Sequence, residues 1–93
     1  MNPVQMAAKL YEARDAVKFL YDHKDPAKYQ QVIEEHQGFI RMMMEKEKCG
    51  EVAAATKLCR MVQEKYPSGG EITQLCLMAA CVEIVEPSIV TVR

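Results

Sequence analysis

Thirteen of the eighteen residues from Leu75 to Val92 are apolar, and the run from Leu75 to Val82 is unbroken for eight. Only Glu83 and Glu86 bring charge into this stretch, whereas the earlier segments are striped with it. So much apolar surface has to be covered by the rest of a small fold, by a second copy, or by another protein. A helix that is apolar on every side belongs at the centre of a fold or an interface. The last quarter therefore dictates how the remainder is arranged.

The chain has 93 residues, enough for a single domain over 1–93 with one modest core. Twelve basic and thirteen acidic residues leave a net charge of −1. Phosphate neutralisation supplies much of the affinity of a small DNA-binding domain, so direct nucleic-acid binding is not expected here. A membrane span needs about twenty apolar residues, more than the longest run provides. Met1-Asn2-Pro3-Val4-Gln5 has no basic stretch leading into an apolar core, so no signal peptide is expected. The expectation is a soluble, cytoplasmic protein.

Cys49, Cys59, Cys76 and Cys81 fall in no tight framework and in no CxxC pair. They read as reduced, buried thiols acting as small hydrophobes. Cys76 and Cys81 are five apart, poor spacing for two ligands on one helical face, and only His23 and His36 could add to them. Neither a metal nor a cofactor is expected.

Punctuation and period predict four helices. The first covers about Val4 to Asp22, with Met6, Leu10, Ala13, Val17 and Leu20 on one face and Phe19 on the charged side. Lys9 and Arg14 stand nearer the edges of the apolar stripe, where a long stem packs while its charge stays wet. Asp25 is a natural N-cap, with Pro26 in the first helical position. The second helix then runs to about Cys49, with Gly50 as its C-terminal stop. Its stripe is Tyr29, Val32, Ile33, His36, Phe39, Ile40 and Met43. The third follows at once, from Glu51 to about Tyr66, and so pairs with the second as an antiparallel hairpin. Val52, Ala55, Cys59, Val62 and Tyr66 form its stripe, and Ala53, Ala54 and Ala55 allow close backbone approach. Pro67-Ser68-Gly69-Gly70 ends it. The fourth runs from Glu71 to about Val85 and stops before Pro87. Ser88 to Arg93 has strand propensity without a hairpin partner. The prediction is an all-α, four-helix, bundle-like domain built on the second–third hairpin, with the fourth helix central and a short extended C-terminal tail.

Few residues invite a functional role. Met42, Met43 and Met44 follow Phe39 and Ile40, and three successive positions spread over about 200° of helix. They cannot all face one core. Flexible, polarizable methionine suits a surface that must fit a partner, so Phe39, Met42, Met43 and Met44 are candidates for a docking face. The alternative puts Met43 in the core and the other two against flanking helices. Tyr66 and Pro67 form an X-Pro bond in a Gly-rich loop, able to act as a slow cis–trans switch or prolyl-isomerase substrate, or simply a trans stop to the helix. Ile89, Val90 and Val92 in the tail are candidates for an arm that reaches a partner or packs back.

Catalysis finds no support. His36 lies on the apolar stripe beside Glu34 and Glu35, but side chains one and two positions away point elsewhere on a helix. It reads as a satisfied boundary histidine, and His23 as a solvated turn residue. Ser68 and Ser88 lack the context of a nucleophile. Gly69-Gly70 lacks the Lys and the wider spacing of a phosphate loop. The chain is not read as an enzyme.

The stretch Met-Ala-Ala-Lys-Leu-Tyr-Glu-Ala-Arg-Asp, residues 6–15, in a short helical protein, resembles accessory proteins of temperate bacteriophages, among them the anti-RecBCD proteins. These bind the host recombination nuclease and alter its activity. The resemblance implies a small modulator or inhibitor, working in the host cytoplasm, that docks on a larger DNA-processing enzyme. A homo-oligomeric structural protein, and a DNA-associated accessory factor, are the alternatives.

Overall fold

A computed structural model describes residues 2–21 and 25–88. They form four helices: α1 (Pro3–Tyr21), α2 (Pro26–Glu47), α3 (Glu51–Lys65) and α4 (Glu71–Val85). No strand occurs among the described residues.

Local chemistry sets most of the boundaries. Asn2 and Gln5 make a reciprocal capping box at the start of α1. The Gln5 N–H donates to Asn2 Oδ1 at 2.8 Å, and the Asn2 N–H donates to Gln5 Oε1 at 3.3 Å. Asp25 caps α2 in an extended conformation, its carboxylate accepting from the Lys28 N–H at 3.2 Å, with Pro26 opening the helix as expected.

The end of α2 differs from the expectation. The helix stops at Glu47 and reverses through Lys48, which adopts the left-handed conformation with φ 52° and ψ 52°. The Cys49 N–H then donates to the Met44 carbonyl at 3.2 Å. Gly50 does not stop α2. It is extended, with φ −81° and ψ 177°, and is the N-cap of α3. The early reversal turns Cys49 back onto the core, which a helix continued to residue 49 would not allow. At the next turn, Gly70 is buried and precedes α4. A Cβ there would meet Val62 Cγ1 at 2.6 Å, so only glycine lets the two helices close this tightly.

The fourth helix is central, as its composition requires. Cys76, Leu77, Ala79, Ala80, Cys81, Val82 and Glu83 are buried, and all three other helices pack on it. Its alanines and cysteines let neighbours approach closely. Ala54 and Ala55 do the same from α3, while Ala53 faces solvent. From α2 come Tyr29, Val32, Ile33, Ile40 and Met43. The first helix buries Ala13 and Val17 and packs on α4 and α2, but no Cα of α1 lies within 8 Å of one in α3. Instead, two apolar hollows of about 180 and 290 Å³ sit beside Leu10 and Val52.

Glu83 is the one buried charged residue among those described. One of its oxygens lies 3.8 Å from an Arg14 guanidinium nitrogen and accepts from the Ser88 N–H at 3.1 Å and from its hydroxyl. The other oxygen, and Arg14 Nε, have no partner. Next to this pair the Tyr11 hydroxyl donates to Glu86. Arg14 therefore keeps the boundary position read from its sequence and gains a partner in α4.

All four cysteines are free thiols. Burial pushes Cys59 and Cys81 up to about 11. No helix among the described residues is long and apolar enough to cross a membrane.

Candidate functional site: the crease between α2 and α3

The two hairpin helices run antiparallel and bury one edge each on α4. Their outer edges leave a crease. It is a hollow of about 300 Å³ lined by Phe39, Met42, Met43 and Lys46 of α2 and Leu58 of α3. Helical spacing makes it continuous: residues 39, 42, 43 and 46 recur at three and four, and Met61 stands one turn after Leu58.

Two of its large apolar side chains are exposed, with Phe39 at 53% and Met42 at 69% of full exposure. Phe39 is held from beneath. The His36 Nδ1–H donates to the Val32 carbonyl at 2.7 Å, fixing the ring, and Phe39 meets that ring edge-on with centroids 5.8 Å apart. His36 is thus half-buried and satisfied, and its task is support.

The methionine triplet divides by direction. Met42 faces out. Met43 is only 8% exposed and belongs to the core, so it is no free docking residue and serves as the floor of the hollow. Met44 is half-buried against the core, which takes it off the docking face as well. Helical geometry required such a split, and burial on α4 decides which way it falls.

Sequence reasoning missed Leu58 and Lys46. Leu58 lies off the α3 stripe that sequence singled out. Its three-residue spacing from Met61, a second short apolar line, was the available signal.

The other candidates are not brought to this crease. Tyr66 is 54% exposed beside Lys65, whose ammonium lies 5.5 Å from its ring centroid. Pro67 is exposed, and its peptide bond is trans. Ile89, Val90 and Val92 lie outside the described residues.

Chemically the crease offers shape and apolar area. No group of three or more His, Cys, Asp or Glu positioned to hold a metal ion occurs among the described residues. The lining is carbon, sulfur and one ammonium, so it can bind but supplies no nucleophile or general base. No family model, curated protein or solved structure matches the chain.

Proposed function

We propose that this chain is a non-enzymatic protein–protein interaction module that docks through the α2–α3 crease. The observation that carries the reading is the pair Phe39 and Met42, each more than half exposed, lining a hollow open to solvent. Isolated exposed apolar residues are ordinary; two large ones lining one concavity mark a contact surface. In its specific form the module is a phage-type modulator or inhibitor acting in the host cytoplasm on a larger DNA-processing enzyme, such as a recombination nuclease. The resemblance of residues 6–15 supports that form. Self-association through the same face, giving a homo-oligomer, is the second reading, favoured by the same exposed pair. A DNA-associated accessory role ranks below both, because a net charge of −1 offers little attraction to phosphate.

Met42→Glu separates these from a protein that binds nothing. Met42 is 69% exposed, so the change should cost the free chain less than about 0.5 kcal/mol. A carboxylate forced into an apolar contact costs several kcal/mol, about the gap between tight and undetectable binding. Purified chain is mixed with purified recombination nuclease and run on size exclusion, with light scattering on the chain alone. The expected result is a complex, or a dimer, that Met42→Glu abolishes while the helical circular dichroism signal persists. A monomer with no complex, or an assembly indifferent to Met42→Glu, overturns docking at this crease.

A further inference from the structure

No Cα of α1 comes within 8 Å of one in α3, and both helices pack on α4, which floors the groove between them. Two apolar hollows lie along that groove. Val82 and Val85 line the smaller, Cys59 and Met78 the larger, and Leu10 and Val52 border both, so the two adjoin. Val85 is 61% exposed although it is aliphatic. The chain leaves α4 at this place. Glu86, the next residue, lines the smaller hollow, and Ser88 is tethered to Glu83 through its hydroxyl and its N–H, the latter at 3.1 Å. Ile89, Val90, Thr91, Val92 and Arg93 follow.

We infer that residues 89–93 run back along this groove as an extended strap, with Val90 in the smaller hollow and Val92 in the larger. Reach and register carry the inference. Five extended residues advance about 16 Å, and Val85 to Met78 is about 10 Å of helix. Met78 stands four residues before Val82, about 6 Å along the axis. Alternate residues of an extended chain share a face and lie about 6.6 Å apart, so the two valines match the two hollows. The opposite face carries Thr91 and Arg93 into water, with Ile89 at the rim beside Val85. Joined to α4 two residues after Glu86, the segment has an effective concentration on the order of millimolar at the groove. A second copy or a partner's segment would have to exceed that. A strap this short is released more easily than a helix contact, so α1 remains the least supported helix. The tail then belongs to the fold, and partner contact is left to the crease.

Thiols placed in the strap of the full chain report where it sits. The Val92→Cys and Thr91→Cys variants are oxidised in dilute solution with copper phenanthroline and air, and the bonds are mapped by mass spectrometry. Val92→Cys should form an intrachain disulfide with Cys59, at least about fivefold faster than Thr91→Cys, whose thiol faces away from the groove. A second readout leaves the strap without added thiols. Because a carboxylate does not stay in an apolar hollow, the double variant Val90→Asp/Val92→Asp should speed alkylation of Cys59 by iodoacetamide at least about fivefold, with the helical circular dichroism signal retained. Equal crosslinking rates from positions 91 and 92, or no intrachain bond to Cys59, overturns the strap. So does alkylation of the double variant within about twofold of the unaltered chain. A disulfide that joins two chains overturns it as well, because the groove then takes the segment of a second copy.

Discussion

Lys48 holds the tightest turn of the chain at an energetic cost. A left-handed conformation crowds the Cβ of an L-residue against the following carbonyl, at roughly 1–2 kcal/mol, and Lys48 has φ 52°. Its side chain is exposed, so nothing in the core depends on it. Lys48→Gly should therefore raise stability by about 0.5–1 kcal/mol, the relieved strain exceeding the added entropy of the unfolded chain. Urea denaturation followed by circular dichroism reads this as a higher midpoint with unchanged slope. A lower midpoint would mean that the lysine stem contributes packing worth more than the strain. The position also shows how far a sequence carries such detail. Glycine at residue 50 marks a break, and the break is there, but the glycine opens α3 and a lysine closes α2. Residue preferences locate the turn. Which residue takes the left-handed conformation depends on Cys49 reaching the core, a tertiary demand with no local signature.

Between elements, the Arg14–Glu83 pair ties α1 to α4 across 69 residues of chain. The sequence shows Glu83 only as a lone charge in an apolar helix, because its partner is identified by packing and not by spacing. The features that were legible are those with local or periodic causes: the Asp25-Pro26 start, the central position of α4, and the hairpin implied by a short linker. The crease was half legible. Phe39 and Met42 stood out in a dense apolar run, whereas Leu58 lies off the α3 stripe, and its meaning appears only when α2 packs beside it. The pair itself makes an asymmetric prediction. Glu83 is 3% exposed and one of its oxygens is already unpartnered, so Arg14→Ala leaves a buried carboxylate with only Ser88 to answer it. That should destabilise by about 3 kcal/mol, at the low end for a broken buried pair because Arg14 stays partly wetted. Replacing both, as Arg14→Met with Glu83→Leu, removes charge and partner together and should be near neutral. Chemical denaturation of the two variants checks it, and equal losses would show that the pair matters by volume alone.

At the scale of the molecule, α4 is the hub, and α1 packs on α4 and α2 but stays clear of α3. Apolar hollows remain along that flank, beside Leu10 and Val52. An element with unfilled space along one side opens at lower free energy than the whole. Amides in α1 should therefore exchange through a partial opening, at a lower free energy than those of α2 and α4 in native-state hydrogen exchange. Two thiols give an independent readout, because Cys59 lines the larger hollow and Cys81 the smaller one. Lifting α1 should uncover both. With burial holding them at about 11 in the closed protein, little thiolate exists near neutral pH, and iodoacetamide should react chiefly through the open form. That route has a distinct pH signature: the rate rises tenfold per unit and then levels off above the ordinary thiol value of about 8.5. Reaction in the closed state would instead keep rising toward pH 11. Arg14→Ala, by cutting the tie between α1 and α4, should speed alkylation of Cys59 and Cys81 and exchange of the α1 amides by the same factor. If the thiols accelerate while the amides do not, the hollows admit reagent directly, and α1 is as firmly seated as the rest.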